Sequence, residues 1–261
     1  MTLVQCRSLT ASYKQAAGFD AGSTWITVHE KEREDTMSGK IGFRVYAPWA
    51  RPDEALLRAF QNAASPQVAD SMSRLGAMDI GIKAIWHSPR IIGSALTVWL
   101  HTGDNLMLHK AISVAEPGDI LVVNTQSNVA NSPFGELIAA SALKVGIRGV
   151  IIDGTVRDAE SLEAMKLPVY ARGLCPNGCN RDGAGEVGGV IACGGVAVRP
   201  GDIIIADRDG VTVVPLADAA EVAKLSVEKV EAENNRAADI QKGVIVRAEI
   251  DEKLKRLGVI S

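Results

Sequence analysis

At 261 residues, 47% hydrophobic and 23% charged, the chain has ordinary globular composition and enough apolar material for a sizeable core. A formal net charge of −3 and an aromatic content of 4% argue against a nucleic-acid partner, which calls for a basic surface and stacking platforms. The start MTLVQCRSLT has no signal-peptide pattern, and no run approaches the roughly 18 apolar residues of a membrane span. A cytoplasmic protein with no membrane association is expected.

Residues 1–45 read as an arm, flexible or peripheral to the fold. Within it His29–Lys40 (HEKEREDTMSGK) is charged and lacks helical apolar spacing, and Met37 offers a second start for the chain. A folded domain is expected over residues 46–242. Asp53 caps a helix running to Ala64, and Ser65-Pro66 restarts one. Ile91–Leu100 reads as a strand and Asp104–Val114 as a helix. Pro117-Gly118-Asp119 and Pro200-Gly201-Asp202 are near copies, each a turn leading into a short apolar strand. Their flanks do not repeat, so they read as a recurrent strand entry and not a duplication.

The middle of the chain is βαβ-like. Asp119–Val123 reads as a strand, Pro133–Val145 as a helix, and Arg148–Ile152 as a strand. A short helix over Arg157–Met165 and a strand over Leu167–Ala171 follow. Gly188–Pro215 reads as consecutive short strands, Asp218–Lys242 as a long amphipathic helix, and residues 243–261 as a charged helical tail. The pattern predicts the α/β class.

Two segments carry candidate chemistry. In Asn131-Ser132-Pro133-Phe134-Gly135-Glu136, Asn131 or Ser132 caps a helix whose first-turn amides favour an anion. Gly135 lets a ligand approach the backbone, and Glu136 adds an acidic group. In Asp153-Gly154-Thr155-Val156-Arg157-Asp158, after an apolar strand, the guanidinium can fork a carboxylate while Asp158 suits a hard cation. Singly, these are also what a capped helix and a surface ion pair look like.

Gly135-Glu136-Leu137, then twenty residues between Glu136 and Arg157, then Asp158, resembles the RraA-like family. The resemblance runs through Gly103-Asp104-Asn105, Gly185-Glu186-Val187 and Asp207-Arg208-Asp209-Gly210 over roughly residues 50–242. It implies an α-β-β-α sandwich of the swivelling-domain-like type, assembled as a homotrimer or homohexamer with the site between subunits. The family's class II pyruvate aldolases act on 4-hydroxy-4-methyl-2-oxoglutarate and 4-carboxy-4-hydroxy-2-oxoadipate. By resemblance, Asp158 binds Mg²⁺ or Mn²⁺, Glu136 holds water on the metal, and Arg157 binds the 2-oxo acid with the amides of Leu137 and Ile138. Glu233, on the long helix, best matches an acidic residue supplied by the neighbouring subunit, with Glu231 second. The same site would suit decarboxylation of oxaloacetate.

The sequence departs from the aldolase pattern at Ser161, where an acidic residue is common, and at Glu136, where many relatives carry Asp. Cys175 and Cys179, spaced C-x-x-x-C, read as reduced thiols and not as metal ligands. His109 reads as a packed or surface histidine, Arg208-Asp209 as a turn, and Glu186 as a residue of the site entrance. The rival function is that of RraA itself, a non-catalytic protein that binds and inhibits a ribonuclease. A menaquinone methyltransferase reading is rejected, since no Gly-rich nucleotide loop followed by an acidic residue stands in the sequence.

Overall fold

Pro117-Gly118-Asp119 and Pro200-Gly201-Asp202 build the same turn. In each, the aspartate carboxylate accepts from the amide three residues earlier, Glu116 at 2.9 Å and Arg199 at 2.8 Å. Gly118 and Gly201 sit at φ +98° and +90°, a left-handed region that costs a residue with a side chain roughly 1–2 kcal/mol. Both turns open onto strands buried from their first residues. Asp119, almost fully buried, needs a partner. Arg51 supplies it as a fork, Nε to Oδ1 and Nη2 to Oδ2 both at 2.9 Å.

The computed structural model describes residues 37–260; residues 1–36 of the expected arm lie outside them. The strands are β1 (Met37–Ser38), β2 (Val45–Tyr46), β3 (Lys83–Ala84), β4 (Ile91–Leu100), β5 (Asp119–Asn128) and β6 (Gly149–Val156). They continue with β7 (Val169–Leu174), β8 (Gly185–Val187), β9 (Ile191–Cys193), β10 (Val196–Val198), β11 (Ile203–Asp207) and β12 (Gly210–Val214). The helices are α1 (Glu54–Ala59), α2 (Ser65–Ser71), α3 (Leu106–Ser113) and α4 (Glu136–Lys144). They end with α5 (Ala159–Ala164), α6 (Ala219–Gln241) and α7 (Ala248–Arg256).

β4, β5, β6 and β7 lie side by side and parallel. The far edge of β4 is shared: β11 pairs antiparallel with its first half and β8 with its last three residues. β2 pairs with β1 and runs parallel to β8, so Met37–Ser38 and Val45, assigned to the arm by sequence, already belong to the sheet.

The α/β class holds, in four layers. Helices α3 and α4 pack on one face of the central strands through Leu108, Ala111, Ile138 and Ala142. The other face, with Ile120, Val122 and Ile151, meets β9, β10 and the inner side of the β11–β12 hairpin. The outer side of that hairpin, Ile203, Ile205 and Val214, is covered by α1, α2 and α6. Alternate residues of β11 thus serve two cores, which explains why its sequence is apolar without interruption. Arg208-Asp209 is the hairpin turn, as expected.

The helix expected to run to Ala64 stops at Ala59, and the strand expected to end at Val123 runs to Asn128; two further boundaries shift for tertiary reasons. The helix expected over Pro133–Val145 begins at Glu136. The Ser132 hydroxyl donates to the Cys175 carbonyl at 2.6 Å instead of capping it. The strand expected to end at Ile152 continues to Val156, because β7 pairs with Thr155 and Val156 beyond a register shift.

Candidate active site

The site is made where the segment before α4 meets the end of β6. Phe134 has no exposed surface and bridges Val156, and its carbonyl accepts from the Arg157 amide at 3.1 Å. Thr155 donates its hydroxyl to the Asn131 carbonyl at 3.2 Å. These bonds hold Gly135 against Arg157 and Asp158. A Cβ on residue 135 would lie 2.4 Å from Asp158 Oδ2 and 2.9 Å from Arg157 Cγ, so only glycine leaves both side chains where they are.

Asp158 has φ +60° and ψ +43°, the left-handed conformation. Aspartate tolerates it better than most residues, yet non-glycine residues there cluster at functional sites. Its Oδ2 accepts from the Glu136 amide at 3.0 Å and lies 3.6 Å from Arg157 Nε. The capping acceptor of α4 is therefore a side chain 22 residues downstream, not Asn131 or Ser132.

This leaves the amides of Leu137 and Ile138 without partners within the described residues, since the Ala139 amide already bonds Gly135 O. Two free helix amides, their partial positive charge and the Arg157 guanidinium converge on one cleft of about 350 Å³. Arg157 and Asp158 keep 43% and 39% of their side-chain surface exposed, enough to meet a ligand. Glu136 is exposed beside them and its Oε2 accepts from the Ser161 hydroxyl at 3.2 Å. The position where aldolases often carry a further acid thus orients Glu136 instead.

No group of three or more His, Cys, Asp or Glu that could hold a metal occurs among the described residues. The carboxylates at the cleft are those of Asp158 and, beside it, Glu136. That set does not suit zinc, but it fits a hard divalent cation, which keeps several waters and takes one or two carboxylates.

Most of the sequence-derived site residues come together: Gly135, Leu137, Ile138, Arg157 and Asp158 line the cleft. Glu233 does not. It sits on α6, its carboxylate accepting from Gln67 Nε2 at 2.6 Å and lying 3.6 Å from Lys229 Nζ. Glu186 is also outside the cleft lining, on β8, accepting from the Tyr46 hydroxyl at 3.2 Å.

Sequence reading missed one wall. Asn105 just before α3, His109 within it, and Gly178, Cys179 and Arg181 of the loop after β7 line the same cleft. The His109 imidazole is held below its ordinary range by partial burial and by the Arg181 charge. Burial and the nearby Asp104 carboxylate push the Cys179 thiol up to about 11, so little of it is thiolate near neutral pH. Helical spacing placed His109 among packed residues. Only the approach of the residue 175–183 loop turns it into cleft wall.

The sequence profile of the family described as RraA-like, Aldolase/RraA, matches residues 65–213. A relative from Halalkalibacterium halodurans, provisionally assigned as a 4-hydroxy-4-methyl-2-oxoglutarate aldolase, is 30% identical over 75% of this chain and 93% of its own. Among solved structures, Streptomyces coelicolor RraAS2, described as an unusual member of the RNase ES inhibitor RraA family, superposes with a TM-score of 0.65. It is 24% identical and the match covers 72% of this chain and all of that one. The RNA-processing inhibitor RraA from Thermus gives a TM-score of 0.55 at 27% identity, over 59% of this chain and 93% of its own.

Proposed function

The chain belongs to the RraA-like family, and from that membership and its cleft we propose a carbon–carbon lyase that releases pyruvate from a 4-hydroxy-2-oxo acid. The observation carrying this reading is the convergence of two unpartnered helix amides, Arg157 and Asp158 on one cleft. A 2-oxo acid presents a carboxylate and an adjacent carbonyl, which match a guanidinium fork and a pair of amides.

Cleavage removes the proton of the C4 hydroxyl and breaks the C3–C4 bond. Its electron pair moves through C3 and C2 onto the carbonyl oxygen, giving pyruvate enolate and a second oxo acid; C3 then takes up a proton. Arg157 holds the C1 carboxylate, and the Leu137 and Ile138 amides face the oxygen on which charge grows. Those contacts strengthen as the enolate forms, so they lower the barrier and do more than bind. Glu136, exposed at the edge of the cleft lining and bonded by Ser161, holds a proton near the reacting carbons in this reading. A Mg²⁺ or Mn²⁺ ion on Asp158 would supply further charge stabilisation at that oxygen. Decarboxylation of oxaloacetate yields the same enolate and belongs to the same proposal.

A homotrimer or homohexamer with the site at the subunit interface completes the reading, with Glu233 reaching the neighbour's cleft. The rival, an inhibitor of a ribonuclease, draws on the likeness to RraA structures. Leu137, 79% exposed at the cleft mouth, would suit such a protein contact. Pyruvate release from 4-hydroxy-4-methyl-2-oxoglutarate and from oxaloacetate, with Mg²⁺ and with EDTA, separates them. Metal-dependent turnover is expected; turnover that survives EDTA removes the metal, and none on either acid favours the rival.

A further inference from the structure

A second cavity, of about 600 Å³, lies between residues 80–88 and the turn of the β11–β12 hairpin. It shares no lining residue with the cleft of Arg157. Its edge strand β3 pairs with Tyr170 and Ala171 near the start of β7, whereas the cleft is built at the end of β6. A hollow of this size holds a small organic molecule.

Its walls are fixed by bonds that leave most of the lining side chains free. Asp79 donates its amide to Gly194 O at 2.8 Å, Ile82 to Asp79 O at 3.0 Å, and Ile85 to Val169 O at 2.9 Å. The Trp86 indole donates to Leu167 O at 2.8 Å, which holds its ring in place. In the hairpin, Asp207 pairs with Gly210. The Asp207 carboxylate accepts from the Asp209 amide at 3.0 Å and from the Ser65 amide and hydroxyl at 2.7 and 2.6 Å. Its charge is committed to these donors, and it forms no ion pair with Arg208 among the described residues.

The lining combines two kinds of surface. Ile82 is buried, Ile85 and Trp86 are half-buried, and Ile80 stands 81% exposed. Lys83, His87 and Arg208 are exposed, and none of their side chains has a hydrogen bond or ion pair among the described residues. One unpaired surface cation is commonplace. Three basic side chains around one partly apolar hollow, in a chain of net charge −3, are not. Asp209 is the one acid in the lining. Ser88 lines the cavity too, and its buried hydroxyl has no partner, a donor without an acceptor.

We propose that this cavity is a second ligand site, for an organic monocarboxylate with an apolar body. The body packs against Ile80, Ile82 and Trp86. Arg208 can fork the carboxylate while Lys83 acts as a point charge, with the Ser88 hydroxyl as a further donor. Two cations against one acid suit a single carboxylate and disfavour a dianion. The site is independent of the proposed lyase reading.

Calorimetry with three probes tests it: 4-phenylbutanoate, 4-phenylbutan-1-ol, which has the same body without the charge, and acetate, which has the charge without the body. Wild type is expected to bind the phenyl acid at least about tenfold tighter than either of the others, as a charge-assisted contact added to apolar burial requires. Lys83→Gln with Arg208→Gln should bring the acid and the alcohol within about twofold of each other and keep the alcohol's affinity. Both residues are exposed, so the thermal midpoint should hold; if the double variant unfolds, Arg208→Gln alone carries the same comparison. Arg157→Gln, in the cleft, should leave binding of the phenyl acid unchanged. No binding of that acid to wild type, an undiminished preference for it in the variant, or its loss in Arg157→Gln would each overturn the assignment.

Discussion

The carboxylate of Asp158 accepts the backbone amide of Glu136 at 3.0 Å, so the residue proposed to bind a divalent cation also caps the helix whose first turn lines the cleft. The two roles make different demands. Capping needs an acceptor oxygen and tolerance of φ +60°, which asparagine also offers. Cation binding needs the negative charge.

Asp158→Asn is therefore expected to keep the thermal midpoint of wild type while pyruvate release falls by at least about 100-fold. Asp158→Ala should lose similar activity and, in addition, about 1 kcal/mol of stability from the missing cap. Thermal unfolding and initial rates on the same preparations check both. Full activity in Asp158→Asn would sink the cation role and leave only the cap.

Gly135→Ala tests the close approach directly. The added methyl would sit 2.4 Å from Asp158 Oδ2 and 2.9 Å from Arg157 Cγ. Both side chains are over a third exposed and can swing outward, so the fold is expected to survive, losing no more than the roughly 1 kcal/mol of the Asp158 cap. The site would not: a displacement of about 1 Å at a reacting group costs on the order of 100-fold in rate. Comparable kcat/KM in the variant and wild type would mean that Asp158 and Arg157 do not act in the positions described.

Much of this arrangement was legible in the sequence because its signals are local. The Pro-Gly-Asp turns close on their own amides, and Arg157-Asp158 directly follows an apolar strand. Ser132-Pro133 misled because the Ser132 hydroxyl is claimed by a carbonyl 43 residues away, a competitor that helix-start signals do not contain. The second wall was invisible for the same reason. Asn105, His109 and Arg181 share the cleft only because the Asp104 carboxylate captures amides nearly 80 residues downstream. Glu233 carries no local signal of a partner at all.

Cys179 lies in that wall, and its thiol is pushed up to about 11 by burial and by Asp104. Alkylation by iodoacetamide at pH 8 is therefore expected to leave Cys179 largely unmodified, since about one molecule in a thousand carries the thiolate. Labelling should accelerate about tenfold per pH unit between pH 8 and 10. Mass spectrometry of labelled peptides resolves Cys179 from Cys175 and Cys193. Rapid labelling at pH 8 in the folded protein would show that the thiol is activated and that a redox role must be reconsidered.

Asp104 gives the loop a pH dependence whose sign is fixed. Burial pushes its carboxyl up, but the amides of Leu106, Gly183 and Asp182 together outweigh that and hold it below the usual carboxylate range. Protonation is therefore harder in the folded state. The stabilisation is complete above the unfolded value, about 3.9, and is lost as pH falls through the lower folded value. Amide exchange at Asp182 and Gly183 should accelerate in that acid window in wild type. Asp104→Asn, which keeps the shape but not the charge, should exchange faster at pH 7 and show no added loss between pH 4 and 2. Its cost at pH 7 should be about 1.5–3 kcal/mol, the range for hydrogen bonds to a charged acceptor. If its acid profile matched that of wild type, the loop carrying Arg181 would have to be held by something other than this carboxylate.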